Sequence, residues 1–275
     1  MNIRSLFFTS ILATLLATTT VTTSSAQLRI VGKRVPANQR VSMDQVDHST
    51  FDQLLKKHVN KDGEVNYAAI KASTTDRQAL QQYLNSLSKA DSKIQASKNG
   101  KLAYWINAYN AVTLEGILAV YPTSTIRNHT KKLGYNLWTD LKLLVGDTQI
   151  NLEDIEHKVL RKMNEPRIHF AIVCASTSCP RLLNQAYTAD KLEQQLAVNT
   201  SDFFSRSRNL KFDSSRNQLQ ISAIMDWFGS DFGGDQNAQI RKIYPYFPDS
   251  IKSAVQRGGY RVSYQDYDWS LNEQK

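Results

Sequence analysis

The chain has 275 residues and a formal charge of +9, with 41% hydrophobic and 21% charged residues, five histidines and two cysteines. Its basic residues are dispersed, with no basic runs interleaved with aromatics, which argues against nucleic-acid binding. After the N-terminus no uncharged apolar run is long enough to span a bilayer, and this argues against a transmembrane protein.

The chain opens with Arg4, an apolar centre from Leu6 to Ala17 and a small-residue site at Ser24-Ser25-Ala26. This pattern predicts a secretory signal peptide over 1–26, removed on export to the periplasm or medium. Residues 27–46 are polar and basic and predict a surface or disordered leader. From 47 to 275 the composition predicts one globular domain.

Apolar positions at Phe51, Leu54, Leu55 and Val59 predict an amphipathic helix, followed by a short strand-like piece at Val65. A second amphipathic helix is predicted over 77–88. The run from Lys101 to Tyr121 is apolar on nearly every side and stops at Pro122, so it predicts a buried central helix. Asn107 and Asn110 lie three apart on that helix. Buried amides need partners, so they either pin a neighbouring backbone or take part in substrate binding. Gly146-Asp147 predicts a hairpin turn, and Asn151 a cap for a helix carrying Glu156 and His157.

The segment Arg167–Pro180, RIHFAIVCASTSCP, holds both cysteines and His169. Ile168–Cys174 predicts a buried strand; the following AlaSerThrSer predicts a turn, and Cys179-Pro180 the start of a helix. A thiol at a helix N-terminus faces unpaired N–H groups that favour thiolate, which makes Cys179 the candidate nucleophile. Strand alternation directs Cys174 away from His169. A Cys174–Cys179 disulfide closes only a short loop, and the spacing favours a free Cys179. Helix 189–204, a hairpin over LKFD and QLQIS, a short helix at 222–228, a helix after Gly233-Gly234 and a docked aromatic tail complete the reading.

Together YWINAYNAVTLEGIL, INLEDIEHKVLR, RIHFAIVCASTSCPRL and the terminal YDWSLN resemble the family named domain of unknown function 547. The resemblance spans roughly 46–272 and brings forward Asn107, Asn110, Glu156, His157, His169, Cys174, Cys179 and Pro180. A papain-like arrangement is suggested only by analogy of parts.

The expected fold is α+β, with helices around a small, mostly antiparallel sheet that includes Ile168–Cys174. The expected function is a cysteine-dependent hydrolase or acyl transferase acting on the amide or thioester of a small-molecule or peptide-like substrate, with neither metal nor other cofactor. Cys179 would attack, with His169 or His157 as base, Glu156 or an asparagine as orienter, and Asn107, Asn110 and Ser178 contacting substrate. Backbone N–H groups at Ser178 and Cys179 would receive the oxyanion. A zinc site from His157, His169, Cys174 and Cys179 lacks the usual ligand spacing. The alternative is a non-catalytic envelope binding module with structural cysteines.

Overall fold

The computed structural model describes residues 29–130 and 136–275; the segment 1–26, expected from the sequence to be a signal peptide, lies outside them. The buried helix read from the sequence is its centre. Helix α4 (Lys98–Val120) follows three shorter helices, α1 (Ser49–His58), α2 (Tyr67–Ala72) and α3 (Thr74–Leu87). Ser97 caps α4 by accepting the Gly100 N–H at 2.9 Å. Eighteen of its residues are buried, among them Trp105, Asn107, Asn110 and Glu115.

Two three-stranded mixed sheets flank this helical body, and the fold is α+β. In the first, β1 (Arg29–Val31) runs parallel to β2 (Leu141–Val145), which pairs antiparallel with β3 (Thr148–Asn151). Gly146 turns the β2–β3 hairpin at φ +57°, a conformation that glycine adopts without Cβ strain. In the second, β4 (Leu210–Asp213) is antiparallel to β5 (Gln218–Ser222), and β5 is parallel to β6 (Arg261–Gln265). The apolar core has two clusters, one around α4 and one built on Phe170, Phe203, Phe204 and the second sheet.

Three sequence expectations change here. The described part of the polar leader lies largely on the surface, but as chain tied to the body and not as a disordered segment. Arg29 leaves β1 to meet the buried Glu115 carboxylate at 2.5 Å, and Arg77 of α3 meets the same carboxylate at 2.8 Å. A lone buried carboxylate would be costly, so this double pairing ties leader, α3 and α4 together.

The second change concerns Ile168–Cys174, which forms no strand. Pro166–Phe170 is a 3₁₀ helix, with Pro166 in its first turn and the Glu165 side chain accepting from Arg167 N–H. Beyond it the backbone pairs with a side chain and not with a neighbouring strand. Asn110 donates to Ala171 O at 3.0 Å and accepts from Val173 N–H at 2.9 Å. The alternation that would separate Cys174 from His169 therefore does not apply.

Third, no helix begins at Pro180. The segment 181–191 crosses the body in irregular conformation, its peptide groups taken by side chains. Asp52 accepts from Ala186 N–H at 3.0 Å, Asn107 bridges both backbone groups of Tyr187 at 2.8 and 2.9 Å, and Gln195 holds Ala186 O at 2.8 Å. The next helix is Leu192–Ser205. The tail docks as expected, with Leu271 bridging to Ser176 and Glu273 to Val65.

Candidate functional site

Between Phe170 and the helix Leu192–Ser205 the chain is organised by side chains from elsewhere, and the cysteines lie in this stretch. Ala175 takes a left-handed conformation, φ +61°, which reverses the chain just after Cys174. Asn272 N–H then binds Ala175 O at 3.1 Å, and Thr177 and Ser178 N–H groups bind Ser270 and Asp268 carbonyls at 2.7 and 3.1 Å. The reversal brings the two Cα atoms to 6.3 Å, and Cys174 and Cys179 form a disulfide. The free Cys179 expected from the sequence is thus corrected. A reversed turn satisfies the geometry that an extended strand end would not.

Two of the proposed chemical devices at Cys179 are also absent. There is no helix dipole, and the Ser178 and Cys179 N–H groups are engaged by Asp268 O and Ser176 O. Ser178 Oγ accepts from Asp268 N–H at 2.9 Å. Other donors surround the Cys179 sulfur. Cys174 N–H reaches it at 3.0 Å and the Tyr267 hydroxyl at 3.2 Å, with Ser176 Oγ 3.0 Å behind Tyr267. Burial raises the Tyr267 phenol above its ordinary value, so it remains a donor.

Both sulfurs line a cavity of about 360 Å³ together with Glu156, His157 and His169. Of the residues drawn from the sequence, Asn107, Asn110 and Ser178 do not line it. The two asparagines use their amides on Tyr187, Ala171 and Val173, and so they position the segments on either side of the cysteines.

The histidines are held through partners that the sequence did not single out. His169 Nε2 lies 2.8 Å from Asp231 Oδ2, and Arg161 donates to both Asp231 oxygens at 2.7 Å. That guanidinium, together with His169, holds the Asp231 carboxyl down at about 2. Asp231 is therefore an acceptor, His169 donates through Nε2, and Nδ1 is the unprotonated nitrogen. Burial lowers His169 to about 4 against the pull of Asp231, so the ring is neutral near pH 7. Arg161 also donates to His157 Nδ1 at 3.0 Å. Phe228 stacks on both rings, 4.2 Å from His169 and 6.2 Å from His157.

Glu156 accepts from the Tyr109 hydroxyl at 3.3 Å, and burial raises its carboxyl above the usual range. No hydrogen bond joins either sulfur to a histidine among the described residues. The cavity groups a sulfur, an imidazole with a free nitrogen and a carboxyl group that keeps its proton to higher pH than usual.

Residues 93–204 match a family model described as "Protein of unknown function, DUF547". This match assigns the segment 93–204 to the DUF547 family. The match runs from just before α4 to near the end of helix Leu192–Ser205, and so contains Glu156, both histidines and both cysteines. Asp231 and Tyr267 come from the segment beyond it. No curated protein and no solved structure matches this chain.

A signal for the missed residues was present in part. Arg161 stands four after His157 on one helical path, a spacing that brings side chains together, and Tyr267 belongs to the terminal YDWSLN motif. Asp231 had no local signal. Among the described residues no group of three or more His, Cys, Asp and Glu side chains is placed to hold a metal ion, and no helix is long and apolar enough to cross a membrane.

Proposed function

We propose that this protein is an exported cysteine-dependent hydrolase or acyl transferase acting on an amide or thioester, with Cys179 as nucleophile once its bond to Cys174 is reduced by an external thiol. The observation that carries the reading is the shared cavity: Cys179, His169, His157 and Glu156 all line it. Export is inferred from the N-terminal pattern of residues 1–26, and a disulfide suits an oxidising compartment.

In the reduced protein, the donors now around the Cys179 sulfur favour its thiolate. The thiolate adds to the substrate carbonyl carbon, and the Tyr267 hydroxyl beside the sulfur donates to the developing oxyanion. Collapse breaks the C–N or C–S bond, and the leaving group takes the proton of the Glu156 carboxyl. Water, or an acceptor amine or thiol, then attacks the thioester carbonyl and gives its proton to His169 Nδ1. The thiolate leaves, and the proton returns to Glu156 through solvent. Asp231 and Arg161 position His169.

The disulfide favours one further reading, a binding module whose cysteines are structural. Incubating reduced protein with a phenyl thioester and reading the mass of the Cys179 peptide separates the two. The proposal expects a single acyl adduct on Cys179, absent from the oxidised protein and from Cys179→Ser. A reduced, folded protein that takes no adduct would sink it in favour of the binding module.

A further inference from the structure

The cavity is notable for which charges it lacks. In a chain of net charge +9, no lysine or arginine among the described residues lines it. Its walls carry the rings of Tyr109, Trp138, Trp227, Phe228, Tyr267 and Trp269, together with Glu153 and Glu156. Burial keeps Glu156 protonated to higher pH than usual, whereas Glu153 is exposed and, among the described residues, makes no hydrogen bond or close ion pair, its charge acting only at longer range on Lys158. Trp227, Tyr267 and Trp269 pack together, with centroids 4.5 to 5.8 Å apart, and Trp227 remains 46% exposed.

Aromatic faces carry negative quadrupole potential, and several rings around one space attract a cation. Two rings of this wall already do so within the chain. The Arg127 guanidinium lies 5.4 Å from the Trp269 centroid and that of Arg161 lies 5.4 Å from Phe228. The Arg161 charge is matched by its paired bonds to Asp231.

We infer that the cavity holds the methylated ammonium head of a cationic ligand, with Glu153 as its counter-charge. The inference rests on reading this cavity as the substrate site and names the substrate's charged end. A methylated ammonium suits the wall better than a primary one. A primary ammonium brings three N–H donors that need acceptors, and the wall is mostly ring carbon. A quaternary group carries its charge with no donor to satisfy.

The test is a titration of oxidised wild-type protein with choline and with its neutral isostere 3,3-dimethylbutan-1-ol, followed by tryptophan fluorescence. No free thiol exists in that form, so the result concerns the cation subsite alone, while failure of acylation would concern the nucleophile alone. Choline should bind at least about fivefold more tightly than the alcohol, the size of a modest cation–π preference. Glu153→Gln should weaken choline about threefold and leave the alcohol unchanged. Trp227→Ala, at an exposed ring that the fold can lose, should weaken choline most. Equal binding of the two compounds, or no saturable binding of choline, would overturn the inference.

Discussion

Glu156→Gln is expected to slow acylation of reduced Cys179 by amide substrates by about 10²- to 10⁴-fold, the usual worth of a positioned proton donor. A phenyl thioester carries a leaving group that departs without a proton, so its reaction with the same variant should be nearly unchanged. Glutamine keeps the shape and can still accept from Tyr109, whose hydroxyl lies 3.3 Å from the carboxylate. A structural defect would slow both substrates together. The comparison is a rate measurement of adduct formation on Cys179 with matched amide and thioester acyl groups. Equal slowing of both would remove Glu156 from the proton-transfer role.

Asn110→Ala should cost roughly 2–4 kcal/mol of folding stability, since it leaves a buried carbonyl and a buried N–H without partners. Those groups are Ala171 O and Val173 N–H, and Asn110 is only 4% exposed. The amide fixes the chain immediately before Cys174, so the damage should extend to the site. Urea denaturation of the oxidised variant should show a lower midpoint at similar slope, and the disulfide should be reduced faster than in the wild type. A loss below about 0.5 kcal/mol, the range of ordinary surface changes, would mean that this loop does not depend on Asn110.

The amphipathic helices, the central helix and both hairpins were legible in the sequence because each is governed by local periodicity or a local turn. Phe51, Leu54 and Leu55 on α1 and Gly146 between β2 and β3 are examples. The stretch from Pro166 to Lys191 was not. Its apolar run is buried as a strand would be, but its peptide groups pair with Asn107, Asn110 and Gln195, between nine and eighty residues away. Burial alone cannot distinguish these arrangements. Missing the reversal at Ala175 also misplaced the two sulfurs relative to each other.

For the site, Cys179, His169, His157 and Glu156, all singled out from the sequence, line one cavity, while Asn107 and Asn110 are used on backbone. Asp231 and Arg161, which set the His169 tautomer, come from separate parts of the chain. Tyr267 reaches the sulfurs only because the C-terminal tail pairs with the turn after Cys174, a contact spanning 88 residues.

The central claim is that Cys179 is an activated thiol in this cavity, and the pH dependence of its alkylation in Cys174→Ser tests it most directly. That variant cannot form the disulfide and leaves one thiol. With Cys174 N–H and Tyr267 O–H donating to the sulfur, the iodoacetamide rate should rise with a midpoint below about 8.5, the ordinary thiol value. Tyr267→Phe should move that midpoint upward. A midpoint at or above the ordinary value in the folded variant, unmoved by Tyr267→Phe, would contradict the account.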